Sequence, residues 1–225
     1  MRGFDCNVKL SYDLAKKFYS DGYRFAIRYV GREKTYSHDI DRIERDNILK
    51  SRLQLGVVQH CPAKPGIFPS KKLGALWGNN AAIFAEQAGY KKGCIIYLDL
   101  EDVNIAYQNR QQEIIDFCNA WYDECQGYTP GIYVGFNTFL SSAQLYHKLK
   151  FQDYWRSFSS VPDVEKRGYA MFQRLWINVN GIDIDTDEVT GDNLGRRPIF
   201  MEAEKSLTRT IEVYSDGSIT IKEEV

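Results

Sequence analysis

Residues 94–102 read CIIYLDLED, an apolar run that ends in three carboxylates, Asp99, Glu101 and Asp102. On a strand, alternate side chains share a face, so Asp99 and Glu101 point the same way, about 6.6–7 Å apart along the backbone. Asp102 falls on the other parity or in the loop beyond. Two more segments have this form: GFDCN (3–7), in which Asp5 ends a short apolar run, and GIDID (181–185), which offers Asp183 and Asp185. Carboxylates gathered in one pocket repel, which raises the pKa of at least one of them. One protonated acid beside one ionised partner is what glycoside hydrolysis needs: a proton for the leaving oxygen and a charge opposite the cation left behind. Clustered oxygens also suit calcium or magnesium, and a strand-end acid can do no more than cap a helix or bind a loop amide.

For acids so far apart in sequence to meet, the chain must return each strand to the same end. Five strand-then-helix units fill residues 1–150. The strands are GFDCN, RFAIRYVG (24–31), LGVVQHC (55–61), CIIYLDLE (94–101) and PGIYVG (130–135). The helices are SYDLAKKFYSDG (11–22), with Ser11 as N-cap, DIDRIERDNILKSRLQ (39–54), LGALWGNNAAIFAEQAGY (73–90), NRQQEIIDFCNAWYDECQ (109–126) and FLSSAQLYHKL (139–149). Helical crossovers imply parallel strands. DYWRSF (153–158), YAMFQRLW (169–176) and WINVNGIDID (176–185) then read as three strands with little helix between them. Eight strands fit an α/β, TIM-like closed barrel better than an open sheet, and such barrels hold their sites at the C-terminal strand ends. First and last strands are neighbours in a closed barrel, so Asp5 and Asp183 are expected across the mouth from Asp99 and Glu101. Cys94, Ile96, Leu98 and Leu100 are expected to face the helices.

The barrel is assigned to residues 1–197 and a C-terminal β-hairpin extension to 198–225, where TRTIEVYSDGSITIKEE alternates around an Asp-Gly turn signal. Weaker site candidates follow from parity and strand ends: Tyr97 shares the face of Asp99, and Tyr133, Trp155 and Gln173 stand where a sugar could rest or hydrogen-bond. His60, at the end of the third strand, is a candidate ligand contact or a satisfied structural histidine; core packing accounts equally for the other four. His38 and His147 read as solvated.

The 225 residues carry 29 Lys and Arg against 30 Asp and Glu, a balance that argues against nucleic acid or an anionic membrane as partner. No apolar run reaches the ~18–20 residues of a membrane span, and MRGFDCNVKL lacks a signal peptide's apolar region, so synthesis in the cytoplasm is expected. The five cysteines, odd in number and irregularly spaced, read as reduced. With no CxxC, P-loop or GxGxxG, neither a cofactor nor a resident metal is expected; a metal-dependent hydrolase built on the carboxylates is the alternative.

GFDC, IYLDLED, TPGIYVGFNTFL and FQRLW…NGIDIDTDEV, in that order, resemble the glycoside hydrolase-like domain catalogued as domain of unknown function 1906, itself similar to the family 25 muramidases. The likeness covers about residues 1–197. It implies a barrel of five β-α units and three final strands, with Glu101 as general acid, Asp99 as its carboxylate partner, and Asp5 and Asp183 positioning substrate or water. It further implies a glycan substrate, peptidoglycan cleaved between N-acetylmuramic acid and N-acetylglucosamine. Since no signal peptide is read, release by a non-classical route, phage-type lysis, a dedicated secretion system and an intracellular sugar all stay open as ways to meet it. Retaining, inverting and acetamido-assisted routes are all compatible with it. Two departures stand out: Cys6 follows Asp5, and Asp185 occupies a position where the muramidases commonly have asparagine. A carbohydrate-binding barrel without turnover is the second reading.

Overall fold

Among the described residues, four of the five α-helices begin on a side chain that accepts a hydrogen bond from the first turn, which fixes where each strand must hand over to a helix. Ser11 caps α1 (Tyr12–Ser20), Asp41 caps α2 (Arg42–Lys50), Ser70 caps α3 (Lys71–Gln87) and Ser141 caps α5 (Ser142–Lys148), the last as a full capping box with Gln144. α4 (Gln111–Glu124) starts without a side-chain cap and is held instead by its buried face, Ile114, Phe117, Cys118 and Trp121. Between them run β1 (Arg2–Asp5), β2 (Phe25–Val30), β3 (Gln54–Gln59), β4 (Ile95–Leu100), β5 (Thr129–Val134) and β6 (Asp153–Arg156). β7 (Met171–Val179) and β8 (Ile182–Val189) complete a closed eight-stranded barrel in chain order. The computed structural model describes residues 1–203, 208–213 and 218–224.

β1 to β7 pair in parallel, and β8 runs antiparallel to both of its neighbours, β7 and β1. The cause is an Asn-Gly turn: Asn180 and Gly181 both take positive φ, 55° and 84°, the left-handed pair that closes a two-residue hairpin. The expectation of one strand over 176–185 is therefore corrected. β7 runs on to Val179, the chain reverses, and the last strand occupies 182–189.

Side-chain alternation divides the core in two. Cys94, just before β4, and Ile96, Leu98 and Leu100 of β4 pack outward against the helices, whereas Ile95 and Tyr97 point into the barrel with Phe25, Ile27, Val58, Tyr133, Trp155 and Met171. Phe200 closes the bottom of the barrel, its ring stacked 4.6 Å from that of Phe25. Ile95 N donates to Ile199 O and Leu55 bridges to Met201, so barrel contacts continue past the expected boundary at 197. Burying Phe200 contributes roughly 1.5–3 kcal/mol. Outside the barrel wall, Arg28 Nε donates to Glu44 Oε1 at 2.6 Å, a fully buried ion pair between β2 and α2. β9 (Thr208–Val213) and β10 (Ile219–Glu224) form a separate antiparallel pair; the Asp216–Gly217 turn expected between them lies outside the described residues.

Candidate active site

Asp5 is the last residue of β1, Asp99 lies one residue before the end of β4, and Glu101 follows it, so three acids arrive at one end of the barrel. β8 contributes from the opposite direction. Because it is antiparallel, its acids descend into the barrel with increasing number: Asp185 pairs with Asp5, and Asp187 pairs with Gly3 one step deeper. Asp183 lies the other way. It pairs with Asn178 near the hairpin tip, is exposed, and accepts from Asn178 Nδ2 at 2.8 Å. The expectation that Asp183 meets Asp5 is corrected on this ground; Asp185 and Asp187 occupy that side of the mouth.

A cavity of about 280 Å³ is lined by Tyr29, Asp99, Glu101, Tyr133, Trp155, Gln173 and Asp185, with Val58, Phe136 and Ser159. No lysine or arginine is among these lining residues, so burial and the neighbouring carboxyls dominate, with Arg32 a minor opposing charge on Asp99. Burial first, then the charge of Glu101, pushes the Asp99 carboxyl well above the usual carboxylate range, against a hydrogen bond from Cys61 N at 3.1 Å. Its Oδ1 is buried and has no hydrogen-bond partner among the described residues. Glu101 is raised by burial and by Asp102 and Asp185, opposed by the Tyr133 hydroxyl. Asp185 is raised by burial.

Asp5 anchors a hydrogen-bonded chain under the cavity. Tyr133 Oη donates to Gln173 Oε1 at 2.9 Å, Gln173 Nε2 donates to Asp5 Oδ2 at 3.0 Å, and Tyr29 Oη donates to Asp5 Oδ1 at 2.7 Å. Trp155 Nε1 donates to Asp187 Oδ1 at 3.0 Å, while Asp187 Oδ2 has no donor among the described residues. The Asp5 and Asp187 carboxyls lie within hydrogen-bonding reach of each other. Two buried carboxylates in contact are favourable only when they share a proton. Burial and the charge of Asp5 push Asp187 well up, which puts that proton on Asp187, and burial with the charge of Asp185 raises Asp5 to about 7.

Of the other candidates, Tyr133, Trp155 and Gln173 line the cavity, but Trp155 is only 2% exposed and serves as floor and donor rather than as an open stacking face. Tyr97 lies below, fully buried, its ring 5.3 Å from Trp155. His60 stands outside the cavity lining, stacked 4.6 Å from Tyr29 and hydrogen-bonded to Asp39 at 2.8 Å. Sequence reading passes over Tyr29 and Asp187. Tyr29 shares the inward parity of Phe25 and Ile27 on β2, and the Asn180–Gly181 pair is the signal that points to Asp187. Glycine at 135 is needed for a different reason: a Cβ there would stand 2.3 Å from Glu101 Oε2 and 2.6 Å from its Cβ. The Glu101 side chain rests on that bare backbone.

The model of the Rv2525c-like, glycoside hydrolase-like domain matches residues 16–189. No curated protein matches the chain. Among solved structures, the fold is similar to that of the Tat-secreted protein Rv2525c of Mycobacterium tuberculosis, crystallised with HEPES. The TM-score is 0.66 at 15% identity, over 85% of this chain and 98% of that one. The bacterial lysozyme of Streptomyces coelicolor aligns with a TM-score of 0.54 at 18% identity, over 85% and 92% of the two chains. A family 25 glycosyl hydrolase from Bacillus anthracis aligns with a TM-score of 0.50 at 12% identity, over 85% and 89%.

Proposed function

This chain belongs to the Rv2525c-like, glycoside hydrolase-like family, and from that premise we propose that it is a glycosidase acting on the β-linked aminosugar backbone of peptidoglycan or a related glycan. The observation that supports this best is a solvent-reached cavity walled by Asp99, Glu101 and Asp185 with no lining cation. Burial raises all three carboxyls, and neighbouring carboxylates raise Asp99 and Glu101 further, the direction a general acid needs. Glu101 gives its proton to the glycosidic oxygen while the bond from that oxygen to the anomeric carbon breaks. Asp99 and Asp185, on the cavity wall, face the positive charge that develops on the sugar, with Asp5 buried beneath them. Water then adds to the anomeric carbon and returns a proton to Glu101. Tyr29, Gln173 and Tyr133 hold Asp5 in place through the hydrogen-bonded chain, and the proton on Asp187 keeps Asp5 from facing a second buried charge.

The M. tuberculosis relative is described as Tat-secreted, and access to the cell wall by a route of its own is part of this proposal. The test is product analysis on purified peptidoglycan by reductive labelling and mass spectrometry. New N-acetylmuramic acid reducing ends support the proposal; N-acetylglucosamine ends would keep glycosidase action and move the cleaved bond. Binding without any new reducing end would leave a wall-binding barrel and overturn the proposal.

A further inference from the structure

On the rim beside the cavity, and outside it, three side chains from two loops converge. The turn after β2 brings His38 and Asp39, and the end of β3 brings His60; their ligand atoms all lie within 4.8 Å of one another. His60 Nε2 is 2.8 Å from Asp39 Oδ1, and His38 Nε2 faces the same oxygen from 3.9 Å, too far for a hydrogen bond. Ligands held 2.0–2.1 Å from a tetrahedral ion stand about 3.3 Å apart. The observed spacings bracket that value.

The three groups are braced as metal ligands are. Asp39 is 3% exposed, and its second oxygen accepts from Tyr36 N at 2.7 Å, leaving Oδ1 turned to the imidazoles. The His60 ring stacks on Tyr29 at 4.6 Å with 21° between the planes. The backbone carbonyl of His38 accepts from Arg28 Nη2 at 2.9 Å, which ties the loop to the buried Arg28–Glu44 pair. Outer contacts of this kind set the orientation of ligating groups. The His38 side chain is 39% exposed, so a fourth position is open to water.

We propose that His38, Asp39 and His60 form a binding site for a zinc-class divalent ion, two imidazoles and one carboxylate with water in the remaining place. The ion clips the β2 and β3 loops together at the rim. It stands next to the ring of Tyr29, whose hydroxyl donates to Asp5, but the proposal is independent of any glycosidase activity.

The test uses the whole metal-free chain under a phosphine reductant, titrated with cobalt(II) as a spectroscopic stand-in and then with zinc(II). The wild type should take up one cobalt with the visible bands of a four- or five-coordinate ion. Zinc at ~100-fold excess over its dissociation constant should raise the unfolding midpoint by about 5–10 °C. His38→Ala removes an exposed side chain, so the fold stays, and it should lose both responses. A wild type that shows neither response, a His38→Ala protein that behaves as wild type, or a thiolate-to-cobalt charge-transfer band would each overturn the proposal.

Discussion

Replacing Asp5 by asparagine should change how stability depends on pH, in a direction opposite to that of a carboxylate held in an ion pair. Asp5 is 1% exposed, and its pKa is raised from 3.8 to about 7, chiefly by burial and next by the charge of Asp185. Between those values the folded chain holds a proton that the unfolded chain has released. Stability contributed by this group is therefore complete below pH 3.8, falls as pH rises, and is gone above about 7. The difference of about 3 pKa units corresponds to about 4 kcal/mol. The asparagine side chain cannot ionise, but its single oxygen serves either Tyr29 Oη or Gln173 Nε2 where the carboxyl serves both, a loss of about 1 kcal/mol. Asp5→Asn should thus be about 1 kcal/mol less stable than wild type at pH ~4 and about 3 kcal/mol more stable at pH ~8. Urea unfolding followed by tryptophan fluorescence across that range reads both curves. A constant offset between them would refute the buried, proton-sharing account of Asp5 and Asp187.

Three further outcomes can be checked with single substitutions. Gly135→Ala places a methyl 2.3 Å from Glu101 Oε2; displacing the donor should lower kcat at least ~10-fold, since misplacement by about 1 Å can cost about 10²-fold, with the circular dichroism spectrum unchanged. Arg28→Met leaves Glu44 buried at 2% exposure without its cation and should destabilise the chain by about 3–5 kcal/mol in denaturant unfolding. Asp183→Asn, at the exposed hairpin tip, should leave glycan cleavage within ~2-fold of wild type, whereas Asp185→Asn on the cavity wall should lower it ~10-fold or more; equal effects would contradict the strand direction argued for β8.

Much of this architecture is legible in the sequence because the physical signals are local. Ser11 marks the start of α1, and the alternation of CIIYLDLE decides that Ile95, Tyr97 and Asp99 turn inward while Ile96 and Leu98 turn to the helices. The strand-end acids Asp5, Asp99 and Glu101 can be brought to one place by topology alone. The last strand is harder to read because WINVNGIDID is β-prone throughout, and only Asn180–Gly181 interrupts it. That one turn reverses the strand, sends Asp183 to the surface and carries Asp187 into the core, so an error in strand direction becomes an error in site assignment. The His38–Asp39–His60 cluster is hidden for another reason. Its members come from separate loops with no motif spacing, and only the closed barrel brings those loops together.

The central claim is that Glu101 supplies the proton for glycan cleavage. It is tested most directly by the initial rate of reducing-end release from purified peptidoglycan by wild type and Glu101→Gln, both verified as folded by their urea transitions. Loss of general acid catalysis predicts a rate lower by roughly 10²–10⁴-fold in the variant. A folded Glu101→Gln protein that cleaves as fast as wild type would contradict it.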